Sequence, residues 1–263
     1  MLVAEITAAH QYLWDSLERL GLELDANTDP LRSGFIGVEH SIITTKPGSL
    51  PAKQCSTNPL WGVQFVRWFD ELGLSAGDRV LVSASSSFPA MVYSCLAACE
   101  ACGFEVVFML SLGSSSWGAN REKLNFAGML DLLRDGGFLK TWPRLYTLGG
   151  VNENADGMDE EAKRLLQGNV SDDELVKGLT LDELVALKSE YISGSTVVIS
   201  IGGNASSMGM DVMTLPLPPG IVLPSENIDG GNGLAGNALR AGVPVINVRE
   251  VRELADKCGI TFP

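Results

Sequence analysis

Hydroxyl side chains are concentrated at a few points of this 263-residue chain. The run Ser83-Ala84-Ser85-Ser86-Ser87 places four serines in five positions, and SLGSSSWGANRE (111–122) repeats the pattern with Ser114, Ser115, Trp117 and Asn120. A serine hydroxyl donates and accepts, so such clusters bind anions when backbone N–H groups at a helix start lie beside them. Lys46 and Lys53, with Thr44 and Thr45 nearby, add positive charge and further hydroxyls. Two chemistries follow. One is the binding of a carboxylate or another small anion; the other is acyl transfer with Ser85 or Ser87 as nucleophile. The second needs a base in reach, and His40, Lys46 and Lys53 are its candidates. No G-x-S-x-G elbow accompanies the serines.

The elements that position these groups are legible around them. Val80–Val82 is a short β-branched run and Phe88–Cys102 is almost wholly apolar or small, which predicts a buried strand, a tight turn and a buried helix. Ser87 is expected to cap that helix, with Pro89 in its first turn. Phe104–Leu110 is a second buried strand. A helix between two strands makes them parallel neighbours with a right-handed crossover, so both serine-rich ends open on one edge of the sheet. Thr196–Ile201, followed by GGNASSMG, and Val243–Val248 supply two more strands. The expected fold is α/β: a mainly parallel, doubly wound, Rossmann-like sheet with an inserted helical segment at about 120–195.

Leu2, Ile6, Ala9, Leu13, Leu17 and Leu20 recur at helical spacing, so residues 1–33 read as an amphipathic helix carrying His10 plus a connection, ahead of an α/β domain at 34–263. Gly34–Ser41 is a strand candidate, the following IITTKPGSLPAKQCSTNP a polar loop, and Asn58-Pro59 a helix start. Ser171 with Glu174 and Thr180 with Glu183 have capping-box spacing and predict two short helices within Gly168–Leu187. The acidic stretch Asp156–Glu161 is a solvated face, and LPLPPGIVLP an extended loop.

A net charge of −13 argues against a nucleic-acid partner, though a local cluster of donors can still hold a small anion. Five cysteines, an odd number, speak against a disulfide framework. Cys95, Cys99 and Cys102 share a helical face among apolar residues and read as buried thiols, and no metal or other cofactor is expected. The chain lacks a signal-peptide pattern and an apolar membrane span, so as given it is expected to be soluble. Gly231-Asn232-Gly233-Leu234-Ala235-Gly236 matches G-x-G-x-x-G, with Glu250 beyond it. It is preceded by SENIDG and not directly by a buried strand, which weakens a dinucleotide reading.

The runs IGVEHSIITTKPGSLPAKQCSTNP, SASSSFPA, SLGSSSWGANRE, the late IGG and AGVPVINVREVRELADKCGI together resemble the poly-gamma-glutamate system protein family, from about residue 30 onward. The Trp-Gly-Ala-Asn run weighs most in this likeness, because no generic structural cause for it is evident from sequence. The resemblance implies an accessory role beside the membrane synthase of poly-γ-glutamate, with synthase components or the glutamyl polymer as partners. It also implies an N-terminal membrane anchor in the full-length protein, and it carries no catalytic residue across. Residues and resemblance converge on an anion-accepting pocket lined by Thr44, Thr45, Lys46, Ser85, Ser86, Ser87, Ser114, Ser115, Trp117 and Asn120, with Trp117 covering an aliphatic glutamyl stem. The alternatives are a serine-dependent hydrolase or transferase of γ-glutamyl bonds, and a nucleotide-binding protein using Gly231–Gly236.

Overall fold

Between Arg79 and Gly103 the chain offers no broad polar face to water, and it occupies the centre of the molecule. The computed structural model describes residues 1–209, 217–225 and 230–261. Seven strands form the main sheet: β1 (Arg79–Ser85), β2 (Glu105–Ser111), β3 (Pro143–Thr147), β4 (Leu175–Val176), β5 (Val197–Ile201), β6 (Gly220–Val222) and β7 (Val245–Val248). Their order is β6-β7-β5-β1-β2-β3-β4, and every neighbouring pair is parallel except β6 with β7. The chain therefore winds outward from β1 through β4, then returns to the other side of β1 at β5. The strand order reverses between β1 and β5, the place where open α/β sheets leave a crevice at their carboxyl edge.

Period-two alternation assigns the faces. Val80, Val82 and Ala84 join the larger core, together with residues of α1 (Leu2–Arg19), α3 (Leu60–Glu71), α4 (Pro89–Cys102) and α5 (Phe126–Asp135). Leu81 points the other way, into a smaller core shared with Leu234 and Ala238 of α9 (Leu234–Arg240). Helix α4 is buried without a break from Pro89 to Cys99, as expected of a helix lacking a polar stripe, and it stops at Gly103 in the left-handed conformation (φ 73°). Ile6, Ala9, Leu13 and Leu17 bring α1 into the same core, so residues 1–33 share it with the rest of the chain. His10 packs edge-on against Phe35 at 5.4 Å between ring centres, and burial drives its pKa down to about 3. No helix among the described residues is long and apolar enough to cross a membrane.

Several segments differ from their sequence reading. Gly34–Ser41 is no strand: Gly37 N–H donates to Trp117 O (3.1 Å), Trp117 N–H to Val38 O (2.8 Å), and Asn120 takes the remaining bonds of Val38. The polar loop after it holds a short parallel ladder of Thr44–Lys46 against Ser114–Ser115 and a helix, α2 (Leu50–Ser56). Residues 120–195 include helices α5, α6 (Glu160–Gln167) and α7 (Leu181–Ser189), but they also extend the sheet with β3 and β4, so the stretch is part of the winding and no separate helical insertion. Thr180 and Glu183 form the expected capping box of α7, whereas Ser171 bonds Glu174 in a turn that leads into β4. Within LPLPPGIVLP, Gly220–Val222 pairs with β7 as an edge strand, while Leu215 and Pro216 lie outside the described residues. Ser87 does not cap α4; its Oγ accepts from Ser115 N–H at 3.1 Å, and Phe88 takes the cap position with Pro89 first in the helix.

Packing also accounts for the Trp-Gly-Ala-Asn run. Trp117 adopts a left-handed φ of 65°, and a Cβ on Gly118 would lie 2.3 Å from Ser114 Oγ and 2.8 Å from the carbonyl oxygens of Ser86 and Ser87. Ala119 N–H donates to Ser86 O at 3.0 Å. Buried Asn120 accepts from Val38 N–H (3.0 Å) and donates to Val38 O (2.9 Å) and Thr44 Oγ1 (2.8 Å). Asn120→Ala strips these bonds and should destabilise the fold by about 3 kcal/mol in urea denaturation, since each orphaned buried group costs roughly 1–3 kcal/mol. A loss under about 0.5 kcal/mol would contradict this role for Asn120.

Candidate functional site

Parallel register sets hydroxyls side by side at the carboxyl edge: Ser85 of β1 pairs with Ser111 of β2, and Ser111 with Thr147 of β3. On the far side of β1, β5 ends at Ile201 and runs into Gly202-Gly203-Asn204. A cavity of about 260 Å³ opens over this reversal, lined by Thr45, Lys46, Ser85, Ser87, Ser111, Gly113, Gly150, Val151, Gly203, Asn204 and Ala205. Larger clefts of about 480 Å³ beside α2 and about 500 Å³ beside Trp14 exist, but no residue of the main sheet lines either. We therefore place the candidate site at the strand ends.

Two cations approach Gly203, a residue of the cavity wall: Lys46, which lines the cavity, and Arg249, which does not. The ladder with Ser114–Ser115 lays Thr44–Lys46 across the strand ends, and Arg249 follows β7 directly. A Cβ on Gly203 would lie 3.6 Å from Lys46 Nζ and 3.8 Å from Arg249 Nε. Among the described residues neither side chain forms an ion pair or hydrogen bond, and Arg249 Nη1 is buried without a partner. Lys46 is exposed as a whole residue, yet its ammonium is crowded enough that desolvation, then Arg249, push its pKa below the ordinary value, against a smaller opposing pull from Glu153. Two wall groups are also unmatched: among the described residues Ser85 Oγ (residue 6 % exposed) and Asn204 Oδ1 (8 % exposed) have no hydrogen-bond partner. Each such group costs roughly 1–3 kcal/mol while unsatisfied.

Beneath the wall lies Glu153, a fully buried carboxylate. Thr147 Oγ1 (2.7 Å) and Ser111 Oγ donate to Oε2, while Ser206 Oγ (2.6 Å) and Ser206 N–H (3.1 Å) donate to Oε1. Lys188 Nζ donates to Ser206 Oγ at 2.6 Å. Burial alone would raise the Glu153 pKa, but Lys188 and the hydroxyls of Ser111, Ser206 and Thr147 outweigh it and hold the group at about 2. Burial lowers the Lys188 pKa, with Glu153 opposing. We read the pair as ionised, because each Glu153 oxygen accepts two bonds and neither donates, with the Lys188 charge beside them. The loop delivering it is strained: Asn152, Glu153 and Ala155 have φ of 53°, 62° and 53°, after left-handed Gly149 and Gly150.

Lys53, on α2, is buried next to the same corner. Its Nζ donates to Ser87 O and to Ser115 Oγ (2.8 Å), and it lies 3.8 Å from the centre of the Phe88 ring. Burial, then Lys46, bring its pKa down to about 7.

Of the expected site residues, the cavity gathers Thr45, Lys46, Ser85 and Ser87. The others are placed in support. Ser86 Oγ donates to Ser111 O, Ser114 Oγ to Ser86 O, Ser115 bonds Lys53, and Thr44 and Asn120 bond one another. Trp117 lines the separate cleft with Trp14 and Arg121, away from the cavity it was expected to cover. Among the described residues, neither Ser85 nor Ser87 Oγ bonds Lys46, Lys53 or His40, and His40 is exposed. Gly233 caps α9 with its Cβ position 2.3 Å from Gly209 N, and a Cβ on Gly236 would lie 2.1 Å from Gly231 O, so these glycines serve close packing within the chain. Residues 226–229 of the preceding SENIDG lie outside the described residues. Sequence reasoning assigns no site role to Ser111, Gly150, Val151, Asn204, Arg249 or the Glu153–Lys188 pair; the GGNASSMG run that follows β5 and the IGG at its start are the signals that point at Gly203 and Asn204.

The Glu153 carboxyl titrates at an ordinary 4.5 when unfolded and at about 2 when folded. A depressed folded value adds stability above pH 4.5 that disappears as pH falls towards 2, on the order of 3 kcal/mol. Urea denaturation from pH 7 down to pH 3 should show part of this loss, and Glu153→Gln should abolish that component. The substitution also strands buried Lys188 and should cost about 3–5 kcal/mol at pH 7. A stability loss under 1 kcal/mol would mean the pair is neutral in the fold. Separately, a Lys53 amine followed by NMR should titrate near 7; a midpoint above 10 would contradict its burial.

Comparison with models of known protein families, with curated proteins and with solved structures finds no match, so the site is interpreted from its own chemistry.

Proposed function

We propose that the protein binds a small anion, a carboxylate before others, in the cavity at the strand-order reversal, and that it serves as an accessory factor of poly-γ-glutamate synthesis or export. The observation that carries the binding reading is the approach of Lys46 and Arg249 to Gly203 with no acidic partner among the described residues. Two unmatched cations at a crevice repel each other until an anion lies between them, and Arg offers a planar fork suited to a carboxylate. The likeness of SASSSFPA, SLGSSSWGANRE and the terminal AGVPVINVREVRELADKCGI to the poly-gamma-glutamate system protein family supports the pathway, with the glutamyl polymer or synthase components as partners. A hydrolase or transferase is favoured less. Among the described residues Ser85 and Ser87 have no base bonded to their hydroxyls, and the serines whose hydroxyls bond a lysine of lowered pKa, Ser115 to Lys53 and Ser206 to Lys188, are buried outside the cavity lining.

Thermal melting of the full chain with glutarate, γ-glutamyl oligomers, phosphate and nucleotides tests the reading. A carboxylate at ~100 times its Kd should stabilise the fold by roughly 2.7 kcal/mol, a rise of about 5 °C in Tm. Lys46→Ala and Arg249→Ala should each remove most of that rise. Affinity should fall with increasing pH as Lys46 deprotonates through its lowered pKa, because a neutral amine contributes no charge. Absence of any carboxylate-dependent shift, or a shift untouched by both substitutions, would refute the assignment.

A further inference from the structure

The inner wall of the cavity has a polarity of its own, fixed by Ser206. Its Oγ lies 2.6 Å from Glu153 Oε1 and 2.6 Å from Lys188 Nζ. The carboxylate only accepts and the ammonium only donates, so the single hydroxyl proton goes to Glu153 and a lone pair receives Lys188. The third neighbour, Asn204 Nδ2 at 3.4 Å, must then donate as well. This orients the Asn204 amide and leaves Oδ1, an acceptor, as its unpartnered atom. Asn204 immediately follows Gly203, the residue that Lys46 and Arg249 both approach. Asn204 also lines the cavity, so an acceptor without a partner among the described residues belongs to the residue next to the point that the two cations approach.

We infer that the cavity selects carboxylates carrying a neighbouring amide N–H, the pattern of an N-acylated amino acid or of a residue in a peptide-like chain. The carboxylate lies between Lys46 and Arg249, and the N–H donates to Asn204 Oδ1. A free ammonium in place of the amide would bring positive charge towards Lys46, Arg249 and Lys53, while simple dicarboxylates present no donor at all. A site built to receive a donor discriminates against ligands lacking it, because its acceptor then stays unpaired. The volume of about 260 Å³ suits a unit with a side chain of a few carbons. This deepens the anion-binding reading and rests on it.

Calorimetric titration of the full chain with N-acetylglutamate, glutamate and glutarate decides the matter. N-acetylglutamate should bind about tenfold more tightly than glutarate, the ratio of one net hydrogen bond, and more tightly than glutamate. In Asn204→Leu the N-acetylglutamate and glutarate affinities should converge to within about twofold. Asn204→Asp, which keeps the shape and adds a negative charge, should turn the preference towards glutamate, and it serves if the Leu variant fails to fold. N-acetylglutamate and glutarate binding the natural protein equally, or an acyl preference retained in Asn204→Asp, would overturn this inference and leave the anion site standing. Failure of all three ligands to bind would remove the anion site and this inference together.

Discussion

A carboxylate with no route to water has to be met by donors from the protein, and at Glu153 those donors come from both sides of the sheet reversal. Ser111 and Thr147 belong to β2 and β3, while Ser206 and Lys188 belong to α8 (Ala205–Met208) and α7, which flank β5. One side chain therefore fastens the two windings of the chain to each other at the carboxyl edge. The strained turn at Asn152 and Glu153 is held by this network, since three hydroxyls and a backbone N–H outweigh a left-handed backbone costing roughly 1–2 kcal/mol per residue. Gly149 and Gly150 precede it where the backbone passes Gly113: a Cβ on Gly149 would sit 2.4 Å from Gly113 N. The cavity wall at Gly150 and Val151 is thus a by-product of burying Glu153.

The same logic explains why the serines divide into two groups. Ser86, Ser111, Ser114 and Ser115 spend their hydroxyls on neighbouring carbonyls, Glu153 or Lys53, and so hold adjacent loops at fixed distances. Ser85 is different, with a buried oxygen that has no partner among the described residues and lies beside Gly202, where a Cβ would lie 2.4 Å from it. Lys53 joins the two serine-rich turns by reaching Ser87 O and Ser115 Oγ from α2. Hydroxyl density in the sequence therefore reports mostly a scaffold, and the site is where the scaffold's bonding is left incomplete.

Legibility in the sequence follows from how much each feature depends on neighbours in the chain. β1, α4 and β2 were readable because burial on every side leaves an unbroken apolar run. β3 was not, since Pro143-Arg144-Leu145-Tyr146-Thr147 is short and carries a charge at its exposed second position, and β4 is only two residues long. Glu153 sits in Val151-Asn152-Glu153-Asn154-Ala155-Asp156, which resembles any solvated loop, and nothing local signals partners 42 and 53 residues away. Lys53 and Arg249 are likewise single charges whose burial or convergence is decided by topology. The serine turns marked the correct edge; which hydroxyls remain free is a property of register alone.

Net charge and local field point in opposite directions in this protein, and distance decides between them. The chain carries −13 overall, yet the group nearest the cavity is Lys46, Arg249 and Lys53, with Glu153 balanced by Lys188. At physiological salt the Debye length is about 8 Å, so exposed carboxylates farther than that from the site are screened, while charges within a few Å of it are not. Long-range steering works against an approaching anion, and short-range contact holds it once inside. Affinity at such a site is built from contacts made after entry, so differences among ligands belong in the dissociation rate, which is where matching hydrogen bonds act.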